Sequence, residues 1–545
     1  MHIIIFNKKI RNLEEEKMKK YKNVVILLFT TIFLIISLGL FSFNFPKVEA
    51  ANKITLTYWV PMGAEQALHY KSYNELPAYQ ILQKKTGIKL VFKHPPLSSS
   101  AANDQFNLMI ASRQMTDIIE WGWNGYPGGP QKALLDKVII PLNNYIPKYA
   151  PNLNNLLKKN PDIRKMILTV NGDYYCFPSL KELPIDAYYG PQVRKDWLEK
   201  LKINPPETVD DWYKMLKAFK TKDPNGNGQA DERPFSILRG ASNPRAAFDY
   251  CSFLVGAWGI KTDFFQVNGK VKFGPLEPQF KSFMNTLAKW WKEGLIDPDV
   301  LTMDRKAIEA NVLQDKIGSY LGLIGGQMGT YLTVKKGTSF DLIGVQYPSL
   351  KKGEKVKIGQ NEYPFTGRGA AISTNCKNIQ VACKILDWAF SKEGYEVMNF
   401  GVKGKSYIIK DGRPMYTDEI LNNPKLGPKE ALGKYVPILG AYIQSREYSL
   451  QISFMLPQQK EASKNWSKVT NEIALPPLSL FFTPEEASKL ANIMNAVNTF
   501  YDEMFLKMMT GKYSNYDAFV KTLKRMKIDE AIKIYQNAYD RYIKQ

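Results

Sequence analysis

The sequence predicts an α/β protein of at least two domains, with mostly parallel sheets. The chain has 545 residues, which is more than a single hydrophobic core usually supports. From residue 54 onward, strand-like and helix-like segments alternate in β-α-β-α-β order, which is the order that builds a parallel sheet. Hydrophobic residues make up 44% and charged residues 23% of the chain, as in ordinary globular proteins.

The first α/β segment is predicted from alternation and from helix-ending residues. Its strands are rich in β-branched and aromatic residues, and Gly or Pro interrupts the runs between them. In chain order, the predicted elements are a strand over 54–60, a helix that closes at Thr86-Gly87, a strand over 88–93, a helix over 104–112 and a strand over 117–120.

Later helices are predicted from their end signals. A helix over 209–222 has Thr208 as its N-cap, and a helix over 280–294 ends at Gly294. The other predicted elements are a strand over 316–324 with a helix start after Gly325-Gly326-Gln327, a strand over 369–373, a helix over 378–390 and about seventy helical residues at the C-terminus. No linker-like stretch separates them, so each domain is expected to combine several chain segments.

The N-terminal residues 1–50 are predicted to be a signal peptide. Three lysines precede the apolar run 24–45, and Val48-Glu49-Ala50 suits signal peptidase, with cleavage before Ala51. The run is also long enough to span a bilayer, so an uncleaved membrane anchor is the alternative. Met18 is an alternative start. No cysteine ends the run, so we expect no lipid anchor, and we expect an extracellular or cell-envelope location.

Net charge and cysteines exclude some functions. The formal charge is +22, but the lysines are spread along the chain without zinc-finger spacing or RNP-like aromatics, so we expect no nucleic-acid partner.

The chain has four cysteines and no CxxC pair. Buried free thiols are the simplest interpretation, although three disulfide pairings stay open. The cysteines are Cys176, Cys251, Cys376 and Cys383.

The segment 223–232 has the arrangement of a calcium-binding loop. Oxygen-bearing side chains occupy positions 1, 3, 5 and 9, a glycine occupies position 6, and position 7 offers its backbone carbonyl. Position 12 is Pro234 rather than glutamate, so Glu232 at position 10 is the expected substitute. The alternative is a polar Asn-Gly turn. The predicted ligands of a structural Ca²⁺ are Asp223, Asn225, Asn227, Gln229, Asp231 and Glu232.

Signatures of catalysis are few. The chain has three histidines, and none can form HExxH; it has no GxSxG and no GxGxxG that opens a helix. We therefore expect no enzyme, although distant paired carboxylates stay open.

Aromatic and polar residues near strand ends are candidate ligand contacts. Sugar rings stack on flat aromatic rings, and their hydroxyls need planar polar partners. The alternative for each aromatic residue is a place in the core. The candidates are Trp59, Trp121, Trp123, Trp258, Gln327 at a helix start and Arg368 before a strand. Arg368 would matter most for a uronide, since guanidinium and carboxylate pair in a bidentate way.

Several motifs together resemble one protein family. They are Tyr126-Pro127-Gly128-Gly129, Arg194-Lys195-Asp196-Trp197-Leu198, the stretch 208–212, the 223–232 loop, the stretch 291–298 and Ala538-Tyr539-Asp540-Arg541-Tyr542. With these motifs the chain resembles the large oligosaccharide-binding members of extracellular solute-binding protein family 1, including the alginate-oligosaccharide binders.

The resemblance implies a two-lobed, periplasmic-binding-protein-like fold of type II, with hinge strands and a helical C-terminal region. It assigns 51–178 and 340–400 to lobe 1, and 179–339 and 401–545 to lobe 2. It also implies calcium in the 223–232 loop, and a monomer that captures an oligosaccharide by hinge closure and delivers it to the permease of an ABC importer. The alternatives are a secreted lyase or hydrolase, a peptide-binding protein and a cell-surface polysaccharide-binding module.

Overall fold

A computed structural model describes residues 54–237, 245, 251–302, 305–477 and 481–545. The predicted signal peptide or anchor over 1–50 lies outside these residues. Within them, we find no helix with the length and apolar composition needed to cross a bilayer. All four cysteines are described; each is buried and none forms a disulfide, which confirms the simplest interpretation of their spacing.

The strands and helices of the described residues are numbered here in chain order. The strands are β1 (Thr55–Trp59), β2 (Lys89–Lys93), β3 (Ile118–Gly122), β4 (Phe177–Pro178), β5 (Leu180–Lys181), β6 (Tyr189–Arg194), β7 (Arg233–Ile237), β8 (Phe264–Val267), β9 (Lys270–Phe273), β10 (Ile317–Leu323), β11 (Leu342–Gly344), β12 (Arg368–Ile372), β13 (Tyr407–Lys410), β14 (Arg413–Tyr416) and β15 (Ile443–Gln444). The helices are α1 (Ala64–Ala67), α2 (Pro77–Thr86), α3 (Ser99–Ala111), α4 (Gly129–Leu135), α5 (Ile146–Tyr149), α6 (Pro151–Lys159), α7 (Pro161–Met166), α8 (Lys195–Leu201), α9 (Val209–Thr221), α10 (Pro278–Lys292), α11 (Arg305–Leu313), α12 (Thr330–Val334), α13 (Ile379–Trp388), α14 (Lys392–Phe400), α15 (Asp418–Leu421), α16 (Pro428–Gly433), α17 (Arg446–Tyr448), α18 (Pro457–Trp466), α19 (Pro484–Met509), α20 (Tyr516–Arg525) and α21 (Ile528–Lys544).

The predicted elements are present with small shifts at their ends. The helix expected over 209–222 is α9, where the Thr208 hydroxyl accepts from the Asp211 amide and the Asp211 carboxylate accepts from the Thr208 amide. The helix expected over 280–294 is α10, and the chain leaves it through Gly294 at φ +66. The helix expected over 104–112 begins earlier, at Ser99, directly after Ser98, which is a favourable N-cap residue although its side chain makes no capping hydrogen bond.

Two mixed sheets form the centres of two lobes. The first has five strands in the order β2-β1-β3-β12-β4, with β1 parallel to both neighbours and β12 antiparallel to both of its neighbours. The second has four strands in the order β11-β6-β10-β7, and only its β10–β7 pair is parallel. The expected mixed sheets are confirmed, but the second has less parallel pairing than expected, because β6 enters it from the other lobe and runs against β10 and β11.

Three chain connections join the lobes. They are the segments between β4 and β6, between β11 and β12, and between α16 and α18. The first and third pair as β5 and β15, and the Lys181 amide of the first donates to the Pro364 carbonyl of the second at 2.9 Å. The three connections therefore lie side by side.

Two segments lie outside the lobes that the sequence analysis gives them. Strand β11 falls in the range 340–400 assigned to lobe 1, yet it pairs with β6 in the second sheet. The segment 401–445 is expected in lobe 2, yet Gln66 and Tyr70 of the first lobe donate to the Val436 and Lys434 carbonyls, each at 2.8 Å. These contacts are between residues far apart in sequence, so local patterns carry no signal for them. The C-terminal helices α19–α21 pack on α10 and β9 of the second lobe.

Candidate functional site

Two adjoining cavities lie where the lobes and their connections meet. One has a volume of about 790 Å³ and the other about 400 Å³, and both are lined by Gly325, Gly326, Lys429, Tyr448 and Ser453. The larger cavity also reaches α1 of the first lobe and α12 of the second, and the smaller reaches the connection between β4 and β6. A ligand here would touch both lobes at once, which is the position of ligands that drive hinge closure. We call the two together the interlobe cavity.

The floor of the interlobe cavity is a glycine-rich turn at the end of β10. This six-residue π-helical turn, Ile324–Gly329, leads into α12. Gln327 is 2% exposed, and its side-chain oxygen accepts from the Leu323 amide at 2.6 Å. It therefore holds the turn and offers no free face to a ligand. A Cβ at Gly329 would lie 2.3 Å from the side-chain nitrogen of Gln459, so the Gln459 side chain would have to move from the Ile324 carbonyl to which it donates.

Ion pairs surround the interlobe cavity. The Arg446 guanidinium donates twice to the Asp186 carboxylate, with both N–O distances 2.7 Å. This bidentate pair, together with its hydrogen bonds, raises the already high pKa of Arg446. Glu182 accepts from the Arg446 amide at 2.7 Å and from the Tyr395 hydroxyl at 3.0 Å.

Two lysines at the cavity are also paired. Lys181 contacts Glu362, and Lys429 contacts Glu65, each through a short N–O contact. Both pairs join segments that are distant in sequence, so they help to hold the connections and α1 in place.

Exposed apolar side chains line the larger cavity. Leu68 is 63% exposed, Val334 is 61% exposed and Met455 is 42% exposed. They come from the first lobe, the second lobe and the third connection. Apolar surface facing polar groups across a cavity suits a ligand with apolar and hydroxyl-bearing faces, such as a sugar.

The three tryptophans predicted at the ends of β1 and β3 form part of one aromatic cluster. Trp59 is 3% exposed and packs on Trp121 with ring centroids 5.2 Å apart, while Trp121 stacks on Phe106 at 4.9 Å. Trp123 is fully buried, and its indole N–H donates to the Gly369 carbonyl at 3.0 Å. Trp121 is the one of the three that keeps part of its ring exposed.

Arg368 lies in an ion pair on the opposite face of the first sheet. Its guanidinium donates to one oxygen of the fully buried Glu120 at 3.0 and 3.2 Å, and the Tyr58 hydroxyl donates to the other oxygen at 2.8 Å. Burial lowers and Glu120 raises the pKa of Arg368, and the net result is a rise. The Arg368 side chain is 30% exposed, so one edge of it stays accessible.

Trp258 lies apart from the other candidates. It lines a separate cavity of about 670 Å³ in the second lobe, which shares no described lining residue with the interlobe cavity. Its indole N–H donates to the Ser282 hydroxyl at 3.1 Å, and its ring packs edge-on against Phe283.

The 223–232 loop is a tight turn organised by its own side chains. Asp223 accepts from the amides of Gly226, Asn227 and Gly228 at 2.9 to 3.1 Å, so its carboxylate faces the inside of the loop. The side-chain amides of Asn225 and Asn227 both donate to Asp231 at 3.1 Å. Gly226 and Gly228 have positive φ values of +75 and +73, which only glycine adopts at little cost.

The loop has the donor chemistry that a calcium ion requires. Glu232 is 7% exposed, and its Oε1 is buried without a hydrogen-bond partner. Burial raises the pKa of Glu232, and the nearby carboxylates of Asp223 and Asp231 raise it further. Three carboxylates that repel one another, one with an unsatisfied oxygen, fit a hard divalent cation. In the described residues, no cluster of three or more His, Cys, Asp or Glu side chains is already arranged around a metal position, so the Asn side chains would have to turn their oxygens inward.

Sequence reasoning missed the groups that border the interlobe cavity. Glu182, Asp186, Glu362 and Arg446 lie in connections without a recognisable motif, and each finds its partner far along the chain. A pairing between residues separated by 260 positions, as in Arg446 and Asp186, leaves no trace in local sequence patterns.

Comparisons with known proteins agree with this architecture. The sequence profile of a family described as bacterial extracellular solute-binding protein matches residues 63–396. The chain is 26% identical over 532 residues to the fructooligosaccharide ABC transporter substrate-binding protein FusA of Streptococcus pneumoniae serotype 4, and the match covers 92% of both chains.

Two solved structures share the fold. The crystal structure of the alginate-binding protein AlgQ2 without calcium ion matches with a TM-score of 0.69 and 25% identity, over 90% of this chain and 98% of that one. An EF-hand mutant of S. pneumoniae FusA in complex with fructo-nystose matches with a TM-score of 0.71 and 24% identity, over 90% of this chain and 99% of that one.

Proposed function

Because the chain belongs to the bacterial extracellular solute-binding protein family, we propose that it is the substrate-binding component of an ABC importer and captures an oligosaccharide between its lobes. The observation that carries this proposal is the interlobe cavity, which is lined by both lobes and by the connections between them. Its combined polar and apolar lining, and the ligand of FusA, favour a sugar.

Capture would proceed by hinge closure. The three connections run side by side, so the lobes can rotate about this strip while each sheet stays intact. A sugar that touches α1, the Ile324–Gly329 turn and Tyr448 would stabilise the closed form, because only that form makes all the contacts at once. The closed protein then docks on the permease, and no covalent step is needed.

Binding without catalysis is the part of this proposal that separates it from a lyase or hydrolase. Both ring nitrogens of His94 are held by backbone groups, the Val60 carbonyl at 2.8 Å and the Tyr73 amide at 3.1 Å, and burial lowers its pKa. His69 contacts the Glu430 carbonyl through Nε2 at 3.1 Å. Neither histidine is paired with a nucleophile or an acid, as a catalytic triad requires.

Calcium is proposed as a structural ion in the 223–232 loop. Side-chain oxygens of Asp223, Asn225, Asn227, Asp231 and Glu232, with the Gln229 carbonyl, would bind it, and its two positive charges would offset most of the charge of the three carboxylates. The EF-hand of FusA and the calcium ion named for AlgQ2 support the proposal.

Location, anchoring and assembly follow from the same proposal. The family is extracellular, so the protein would act outside the cell, as a monomer that is either released or held by the segment 1–50. Of the sequence candidates, Trp121 and Arg368 keep exposed edges but line neither part of the interlobe cavity, so we propose them only as contacts outside it. Trp59, Trp123 and Gln327 are buried, and we leave them out of the proposed site. Trp258 would belong to a separate contact.

The test is calorimetric titration of the purified protein with fructooligosaccharides, alginate oligosaccharides and other glycans, followed by analysis of the recovered sugar. One-to-one binding with unchanged sugar is expected. Gly326→Phe should abolish binding. Gly326 lines both cavities, and a Cβ added there would meet no atom within 4 Å, so the phenylalanine ring has room to fill the cavity. The matched control is Ser514→Phe, at an exposed position between α19 and α20. Degraded sugar would support the enzyme alternative, and unchanged binding by Gly326→Phe would place the site elsewhere.

A further inference from the structure

The charges at the interlobe cavity differ in sign from those of the whole chain. The chain has 74 Lys and Arg against 52 Asp and Glu, a formal excess of +22. Among the described residues, three cationic side chains and four carboxylates line the cavity. The cations are Lys181, Lys429 and Arg446, and the carboxylates are Glu65, Glu182, Asp186 and Glu430. A strongly basic protein therefore has a cavity with a slight excess of negative charge.

Each of these three cations already has a carboxylate partner. Two guanidinium nitrogens of Arg446 donate to the two carboxylate oxygens of Asp186, each at 2.7 Å. Lys181 is paired with Glu362, and Lys429 with Glu65. A bidentate pair leaves few guanidinium donors for a second carboxylate, and breaking such a pair costs more than one new contact returns.

The two carboxylates that have no cation partner among the described residues, in contrast, are held in place by hydrogen bonds. Glu182 accepts from the Arg446 amide, the Tyr395 hydroxyl and the Ser445 hydroxyl. Glu430 accepts from the Gly427 amide at the start of α16. Carboxylates fixed in this way accept hydrogen bonds from sugar hydroxyls and repel other carboxylates.

Arg368, the residue expected to matter most for a uronide, also has a carboxylate partner. Two of its nitrogens donate to the fully buried Glu120, which carries the compensating charge. Its accessible edge can donate to a neutral hydroxyl or ring oxygen, but the pair as a whole has no net charge to offer an anion.

We infer that the interlobe cavity selects neutral oligosaccharides and rejects uronic acid oligosaccharides. This inference rests on the proposed function, since it assigns a substrate class to the proposed sugar site. The physical reason is that a polyanionic sugar would enter a cavity with excess carboxylate and no uncompensated cation among the described residues, whereas a neutral sugar meets only hydrogen-bonding groups.

The test compares sugars that differ only in charge. Oligogalacturonides and their fully methyl-esterified forms have the same backbone, and the second set is neutral. Both sets, together with fructooligosaccharides and other neutral glycans, are titrated into the purified protein at low and moderate salt. We expect the neutral sugars that bind to do so at least tenfold more tightly than any uronide of the same length.

Variants of the carboxylates give a second readout. Asp186→Asn leaves Arg446 uncompensated, and Glu65→Gln does the same for Lys429. Each should shift the ratio of uronide to neutral affinity toward the uronide by roughly tenfold at low salt, and salt should reduce the shift. Glu503→Gln, which breaks the exposed Lys507–Glu503 pair on α19, removes the same charge away from the cavity and should leave the ratio unchanged.

The outcomes separate this inference from the function on which it rests. Tight binding of uronides by the native protein, with weak binding of their neutral forms, would overturn the inference and leave oligosaccharide capture intact. An unchanged ratio in both Asp186→Asn and Glu65→Gln would also overturn it. Failure of every neutral and acidic glycan to bind would overturn the proposed function itself.

Discussion

The Arg446 guanidinium and the Asp186 carboxylate form a bidentate ion pair that links two of the three connections between the lobes. Both N–O distances are 2.7 Å. The first connection is linked to the second in a similar way, through Lys181 and Glu362. The strip about which the lobes would rotate is therefore fixed by charge pairs as well as by backbone hydrogen bonds. The same pairs border the interlobe cavity, so hinge and site share residues.

A double-mutant cycle measures how strongly the Arg446–Asp186 pair holds the connections together. The variants are Arg446→Met, Asp186→Asn and the two combined. The pair is partly buried and bidentate, so we expect a coupling free energy of about 1 kcal/mol in urea denaturation. The exposed Lys507–Glu503 pair is the matched control and should give less than about 0.5 kcal/mol. Equal coupling in the two cycles would contradict a special role for the hinge pair.

Calcium removal should lower the melting temperature. A saturating ion that binds only the folded state stabilises it by about 2.7 kcal/mol at a hundredfold excess over the dissociation constant. Asp223→Ala should no longer respond to added calcium, and it should melt below the chelated native protein because it also loses the hydrogen bonds from the Gly226, Asn227 and Gly228 amides. Asp210→Ala, which removes an exposed carboxylate paired with Lys214 in α9, should keep the full response. A calcium response that survives in Asp223→Ala would refute the assignment of the loop.

The packing of α18 on the second sheet should not tolerate a methyl group at Gly190. An added Cβ would lie 2.6 Å from the ring of Trp466, which is fully buried and donates to the Val345 carbonyl at 3.0 Å. Overpacking of this kind costs about 1–3 kcal/mol, so Gly190→Ala should lower the free energy of unfolding by that amount. Gly125→Ala, where an added Cβ meets no atom within 4 Å, serves as the control. Equal stability of the two variants would show that the ring can move aside.

The capping box at the start of α9 predicts a pH-dependent stability. Burial alone would raise the pKa of Asp211, but hydrogen bonds from Thr208 and Glu207 lower it below its usual value. A carboxyl with a lowered folded pKa contributes stability above its unfolded pKa, and this contribution is lost as pH falls through the folded value. Asp211→Ala should cost about 1 kcal/mol at neutral pH, and the difference from the native protein should shrink below about pH 4. Asp210→Ala is the control in the same turn, and a pH-independent difference for Asp211→Ala would argue against the ionised cap.

The local elements could be predicted because their signals are local. Thr208, Gly294 and the alternating residues of β1 each act within a few positions, and the structure contains the elements they predict. The sequence of the 223–232 loop could also be recognised, because its oxygen-bearing side chains and glycines all lie within ten consecutive residues. The aromatic candidates could not be ranked from sequence. Trp121 lies on β3 and Trp123 directly after it, yet one keeps an exposed edge and the other is fully buried and hydrogen-bonded to the Gly369 carbonyl of β12.

The interlobe cavity was beyond sequence reasoning for a physical reason. Its lining residues come from α1, the turn after β10 and the connections, and none belongs to a recognisable sequence motif in its own segment. The three cations of the lining are compensated only by these long-range pairings, of Arg446 with Asp186, of Lys429 with Glu65 and of Lys181 with Glu362. The same non-local packing places β11 with the second sheet and the 401–445 segment with the first lobe.

A sugar that binds between the lobes should close them. Small-angle X-ray scattering of the purified protein, with and without a saturating oligosaccharide that calorimetry shows to bind, measures this closure. We expect a smaller radius of gyration with the sugar, and no change in Gly326→Phe at the same sugar concentration. An unchanged radius of gyration in a native protein that is fully saturated with sugar would show that the lobes do not close on their ligand.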